Sequence, residues 1–149
     1  MIRSKYWMLP QTLLLLCILF SPFKSALDFS LAVKYFGLSC LIAGGLLVTC
    51  AIWSLKNNLK SSPEPKPGGY LITTGLYCLV RHPAYSGIVI AALGFSLWMD
   101  DLIRIFLTLM LFIFFDVKSR VEEIWLEKVY PEYASYKRQA TKRFIPGVY

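Results

Sequence analysis

The chain has 149 residues, one domain's worth, yet 56% of it is hydrophobic and only 17% is charged, with a mean hydropathy of +0.54. A water-soluble domain is about one quarter charged, and so short a chain buries too small a share of its surface to hide this much apolar side chain. The composition excludes an ordinary soluble globular domain and makes the lipid bilayer the expected partner. The net charge of +7, from 16 Lys and Arg against 9 Asp and Glu, accompanies apolar runs and so suits cytoplasmic loops. No nucleic acid partner is expected.

Uncharged stretches cover residues 6–23, 35–55, 83–99 and 105–115. They predict an all-α, polytopic membrane protein of about four transmembrane helices, over 6–23, 33–56, 83–99 and 102–130, in a single domain 1–149. The first stretch follows Arg3 and Lys5 as a signal peptide would, but lacks a small-x-small cleavage site and reads as a retained helix. Extending the fourth helix back to Leu102 requires Arg104 to snorkel outward. Between the last two helices Asp100 and Asp101 make a C-terminal helical hairpin with an acidic tip, expected in water.

Thirteen basic residues fall on one side of this arrangement, and only Lys24, Lys34 and Arg104 on the other. The positive-inside rule then places both termini, the connector 57–82 and the extension 131–149 in the cytoplasm. The connector holds Pro63, Pro65, Pro67, Gly68 and Gly69, too many breakers for continuous helix. Pro131 stops the fourth helix. Cys17, Cys40, Cys50 and Cys78 lack paired metal spacing and read as buried structural thiols; with one histidine, no metal site is expected.

Two stretches carry chemistry. In residues 75–87 a polar loop enters the third helix, with Pro83 in its first turn and Arg81 and His82 at its positive end, where an anion is favoured. Taken alone, Arg81, His82 and Tyr85 also suit interface anchors. Gly87, Ala91 and Gly94 leave a smooth stripe for a neighbouring helix or a flat ligand, of which helix packing is the commoner cause. In residues 116–127, Asp116, Arg120, Glu123 and Glu127 share one helical face and Lys118 and Glu122 another, either binding an ammonium group or forming weak i,i+4 pairs.

Read together, these stretches resemble the isoprenylcysteine carboxyl methyltransferase and phospholipid methyltransferase superfamily. The likeness rests on Gly-x-Tyr-x-x-x-Arg-His-Pro-x-Tyr-x-Gly over 75–87, Glu-Glu-x-x-Leu over 122–126, and the tail residues Glu132, Tyr133, Tyr136, Arg143, Phe144, Ile145 and Pro146. It covers the chain from Tyr70 onward.

The resemblance implies S-adenosylmethionine as methyl donor and a membrane-embedded, lipidic or prenylated acceptor, foremost a carboxylate such as that of an isoprenylcysteine. It further implies cofactor contacts at Tyr70, Leu71, Ile72, Tyr77, His82, Pro83, Ala84, Tyr85, Glu122 and Glu123. Tyr77 and Tyr85 would offer aromatic faces to the adenine or sulfonium. At the family's substrate-orienting arginine this chain has Lys118, with Arg120 nearby. The alternatives are a sterol-reductase-like enzyme using NADPH and a non-catalytic membrane scaffold.

Overall fold

The computed structural model describes residues 4–22, 28–55 and 68–148. Arg3, Lys24, Lys56 and most of the breaker-rich connector, including Pro63, Pro65 and Pro67, lie outside the described residues. A 3₁₀ turn over Ser4–Trp7 leads into α1, Met8–Phe20. There follow α2, Leu31–Leu55; a second 3₁₀ turn, Gly75–Cys78; α3, Pro83–Trp98; α4, Leu102–Val129; and α5, Tyr133–Gln139. No strand occurs among the described residues. α5 lies inside the C-terminal extension 131–149. It forms because Tyr133 and Tyr136, three apart on one helical face, pack against Ala140, Leu71 and Leu126.

Only α2 is, among the described residues, long and apolar enough by itself to cross a bilayer. α1 and α3 are apolar but have 13 and 16 residues, short of the roughly 20 that span about 30 Å of hydrocarbon. The outer surface is nonetheless apolar along several helices: Leu13 and Phe20 on α1, Phe36 and Trp53 on α2, and Phe106, Leu109 and Ile113 on α4 are exposed. Inside lie Ser96, Thr108, Arg104, Lys118, Ser119 and Glu123. Large apolar groups outside and satisfied polar groups within is the arrangement hydrocarbon favours. Cys17, Cys50 and Cys78 are exposed as well, correcting their reading as buried thiols. On α1 and α2 a thiol is a small hydrophobe that an apolar outer surface tolerates, whereas Cys78, in the turn before α3, donates to Gly75 O at 2.9 Å.

α2 and α3 run antiparallel in backbone contact. A Cβ placed on Gly44 would stand 2.6 Å from the Gly87 carbonyl oxygen, and one on Gly94 would stand 2.5 Å from that of Gly37. The small residues of α3 thus serve helix packing, and their partners Gly37 and Gly44 sit seven residues apart on α2.

The hairpin tip departs from expectation. Asp101 is 1% exposed and caps α4, accepting from Ile103 N at 2.9 Å. Arg104 does not snorkel. It is 4% exposed, pairs with Asp101 at 2.8 Å and donates to the carbonyls of Ile18 at 2.8 Å and Ser21 at 3.2 Å. The guanidinium turns inward because the last carbonyls of α1 lack intrahelical donors and Asp101 supplies a counter-charge. Asp100, in left-handed backbone at φ 54°, is paired too, with Lys34 at 2.5 Å.

Candidate active site

The opposite end of the bundle gathers the polar residues. Pro83 starts α3 with its ring in the first turn, leaving His82 as the capping residue. Helix α4 continues beyond its apolar half as a polar helix from Asp116 and carries Lys118, Glu122 and Glu123 past the start of α3. Its end at Val129 is set by Pro131, which drives Tyr130 into extended backbone.

The tail then folds back over the Arg81-His82 segment. Arg81 N donates to Lys142 O and His82 N to Arg143 O, each at 3.0 Å. The Arg81 guanidinium reaches the carbonyls of Ala140 and Thr141 at 2.7 Å, and Ser86 Oγ donates to Phe144 O at 2.7 Å. Tyr136 OH donates to Tyr77 O at 2.6 Å, which joins α5 to the 3₁₀ turn.

The two adjacent glutamates have different environments. Glu123 is 2% exposed and ringed by cations. Its Oε1 accepts from Arg81 Nε at 2.8 Å and Arg143 Nε at 3.2 Å, and its Oε2 lies 3.2 Å from Lys137 Nζ. Burial alone would raise this carboxyl, but His82 and Arg81 outweigh burial and hold it well below the usual carboxylate range. Glu122 accepts one hydrogen bond, from Tyr85 OH at 2.5 Å, and its Oε2 lies 3.5 Å from His82 Nδ1. Here burial prevails over His82, Tyr85 and Lys118, and the carboxyl is raised.

His82 stands between the two carboxylates. Its Nε2 is buried and approaches Glu123 Oε1 to 3.4 Å without hydrogen-bond geometry, so it makes no hydrogen bond. A parallel aromatic stack continues from its ring: the Tyr85 centroid is 5.5 Å away and the Phe115 centroid 4.4 Å beyond that. Lys118 Nζ lies 5.1 Å over the Tyr85 ring. With His82, Phe115 and Lys118 already against its ring, Tyr85 presents its hydroxyl, directed to Glu122, rather than a bare aromatic face. Tyr77 is buried close by, its phenol pushed up by burial, then by Tyr136 and Glu122.

Among the residues singled out in the sequence, Tyr77, His82, Pro83, Tyr85, Lys118, Glu122 and Glu123 therefore come together. Leu71 packs under α5, Ile72 and Ala84 are partly buried, and Tyr70 is exposed. Arg120 stands apart, pairing with Asp116 at 2.9 Å with over half of its side chain exposed. Three contributors escaped the sequence reading: Arg143 as a clamp on Glu123 and Asp116, Lys137 as a second partner of Glu123, and Gln11, which accepts from Lys118 Nζ at 2.7 Å.

The phospholipid methyltransferase family model matches residues 33–133, from the start of α2 to the start of α5. The chain belongs to this family. It is 28% identical over 124 residues to the protein-S-isoprenylcysteine O-methyltransferase of Schizosaccharomyces pombe, covering 81% of this chain and 49% of that protein. A probable protein-S-isoprenylcysteine O-methyltransferase of Oryza sativa subsp. indica is 38% identical over 71 residues, covering 46% of this chain and 37% of that protein. The chain thus spans half or less of the length of these relatives. Among solved structures, a eukaryotic intramembrane Ras methyltransferase, an isoprenylcysteine carboxyl methyltransferase, superposes with a TM-score of 0.69 at 24% identity. That match covers 91% of this chain and 49% of the other, and is a likeness of the helical fold.

Proposed function

We propose that the protein is an S-adenosylmethionine-dependent methyltransferase of the membrane that methylates a carboxylate on a lipidic or prenylated acceptor. The observation that carries this reading is the convergence of His82, Tyr85 and Glu122 at the first turn of α3 in a chain of this family. The residues fit the cofactor chemically. Glu122 provides a buried carboxylate for an α-ammonium, while His82 and the unpaired first N–H groups of α3 suit a carboxylate. The buried Nε2 of His82, which makes no hydrogen bond, is a group that a ligand would complete.

When bound, the cofactor supplies a methyl group made electrophilic by its sulfonium. The protein's part is to position and to exclude water. Tyr85 holds Glu122 in one orientation through its hydroxyl, and Glu123, through Arg81 and Arg143, holds the tail against α3. A carboxylate acceptor is ionised at neutral pH and needs no general base, only a cation to orient it. Lys118 is that cation, which favours an anionic acceptor over an amine. Orientation of the two reacting groups then provides most of the acceleration.

Beside the site, Leu76, Val80, Pro83, Ser86, Phe112 and Phe144 help line a cavity of about 180 Å³, suited to the apolar part of an acceptor. The described basic residues support a cytoplasmic site. Arg81, Lys118, Arg120, Lys128, Lys137, Arg138, Lys142 and Arg143 lie at this end, and Lys34 and Arg104 at the other.

Thermal unfolding of detergent-purified protein tests the reading. S-adenosylmethionine and its demethylated product should each stabilise the fold by about 2.7 kcal/mol at a hundredfold excess over Kd. Stabilisation by NADPH alone would replace methyl transfer with reduction. No shift with any of these ligands would favour a scaffold.

A further inference from the structure

Resting on the proposed transfer to a carboxylate, we infer that Gln11 of α1 is a positioning residue for the acceptor, acting by fixing the Lys118 ammonium. α1 lies outside the span matched by the family, and from Met8 to Phe20 only Gln11 and Thr12 interrupt an otherwise apolar helix. Gln11 Oε1 accepts from Lys118 Nζ at 2.7 Å across 107 positions of sequence. The same nitrogen lies over the ring of Tyr85, whose hydroxyl holds Glu122.

α1 is braced for this role at both ends. Trp7 packs its ring 5.9 Å from that of Phe114, one helical turn from Lys118, and at the far end Arg104 binds the carbonyls of Ile18 and Ser21. The need for such a contact follows from the chemistry of lysine. A guanidinium is a rigid fork that orients a carboxylate by itself, whereas an ammonium on four methylenes rotates freely and requires a second group to fix its direction. In this chain the amide of Gln11 supplies what a guanidinium would carry within itself.

The test compares an S-farnesyl N-acetylcysteine with its methyl ester, which keeps the lipid but lacks the charge. Equilibrium binding of each to the full chain in detergent micelles is measured for wild type, Gln11→Met, Lys118→Met and the double variant. Binding of S-adenosylmethionine is followed in parallel.

Gln11→Met should weaken the acid about tenfold, as loss of a hydrogen bond to a charged group does, and leave the ester and the cofactor unchanged. In the Lys118→Met background it should have no further effect. Retained ester binding shows that the variant is folded. Equal loss of acid and ester, unchanged acid affinity, or full additivity in the double variant overturns the role of Gln11 and leaves methyl transfer standing. A wild type that binds the cofactor but does not distinguish acid from ester overturns the role as well. A wild type that binds no S-adenosylmethionine overturns both readings.

Discussion

Arg81 and Glu123, 42 positions apart, form a buried ion pair at 2.8 Å whose side chains are 6% and 3% exposed. The same arginine holds the carbonyls of Ala140 and Thr141, so the pair ties α3, α4 and the tail together. Removing one partner of such a pair leaves an uncompensated buried charge, at about 3–5 kcal/mol. Glu123→Ala should destabilise the protein by about that amount and free the tail, seen as earlier thermal unfolding and faster proteolysis after residue 139.

The two glutamates should respond to pH in opposite ways. Glu123 is held below its ordinary value, so its stabilisation is present above the unfolded pKa of about 4.3 and is lost as pH falls through the folded value. Glu122 is held above its ordinary value, so its ionised form opposes folding once pH exceeds the unfolded pKa. Glu123→Gln should therefore lower the unfolding temperature at pH 7 and converge on wild type at strongly acidic pH. Glu122→Gln should leave stability at pH 7 unchanged or slightly raised.

The same Glu122→Gln change should weaken S-adenosylmethionine binding by about 1–3 kcal/mol, through loss of a charge-assisted hydrogen bond. Titration calorimetry beside thermal unfolding checks this. Weaker binding without lower stability marks a ligand-facing carboxylate, and unchanged affinity removes Glu122 from the site.

Gly44 and Gly45 should behave differently despite being neighbours. A Cβ on Gly44 would meet the Gly87 carbonyl at 2.6 Å, whereas one on Gly45 meets nothing within 4 Å. Gly44→Ala should cost about 1–3 kcal/mol by forcing α2 from α3. Gly45→Ala, on an open face of the same helix, should be neutral or mildly stabilising, since alanine favours helix by roughly 1 kcal/mol. Unfolding of both variants in one detergent decides it.

Arg104→Met should detach α1 at its C-terminal end. The loss leaves Asp101 buried without its cation and the carbonyls of Ile18 and Ser21 without a donor, at about 3–5 kcal/mol. Limited proteolysis between α1 and α2 should quicken accordingly.

How legible these features are in the sequence depends on how local their causes are. The start of α3 is legible because Pro83 sets its own backbone and His82 follows by position. The Glu122-Glu123 pair is legible as a unit, but its division of labour is not. Which carboxylate faces Arg81 depends on a tail that returns beyond α4 to bring Lys137 and Arg143 to Glu123. Arg104 misleads, and the partner of Lys118 goes unseen, for the same reason. Arg104 reads as a snorkelling charge, and Lys118 as a neighbour of Glu122, until α1 is packed beside α4, where the carbonyl of Ile18 and the amide of Gln11 become their partners. The small residues of α3 read correctly as a packing stripe, while Gly37 and Gly44 are hidden in a uniformly apolar run.

The tail that closes over α3 also sets an order of events during biosynthesis. His82 and Tyr85 leave the ribosome and take their place at the membrane long before Arg143 and Phe144 are made. Until those last residues arrive, the backbone N–H groups of Arg81 and His82 have only water to bond, and Glu123 lacks one of its cations. A chain that has not yet added the tail therefore carries His82, Tyr85 and Glu122 but neither Arg143 nor the carbonyls that hold the start of α3 in place. Closure of this end of the bundle over the start of α3 is therefore set by the tail rather than by the two helices alone.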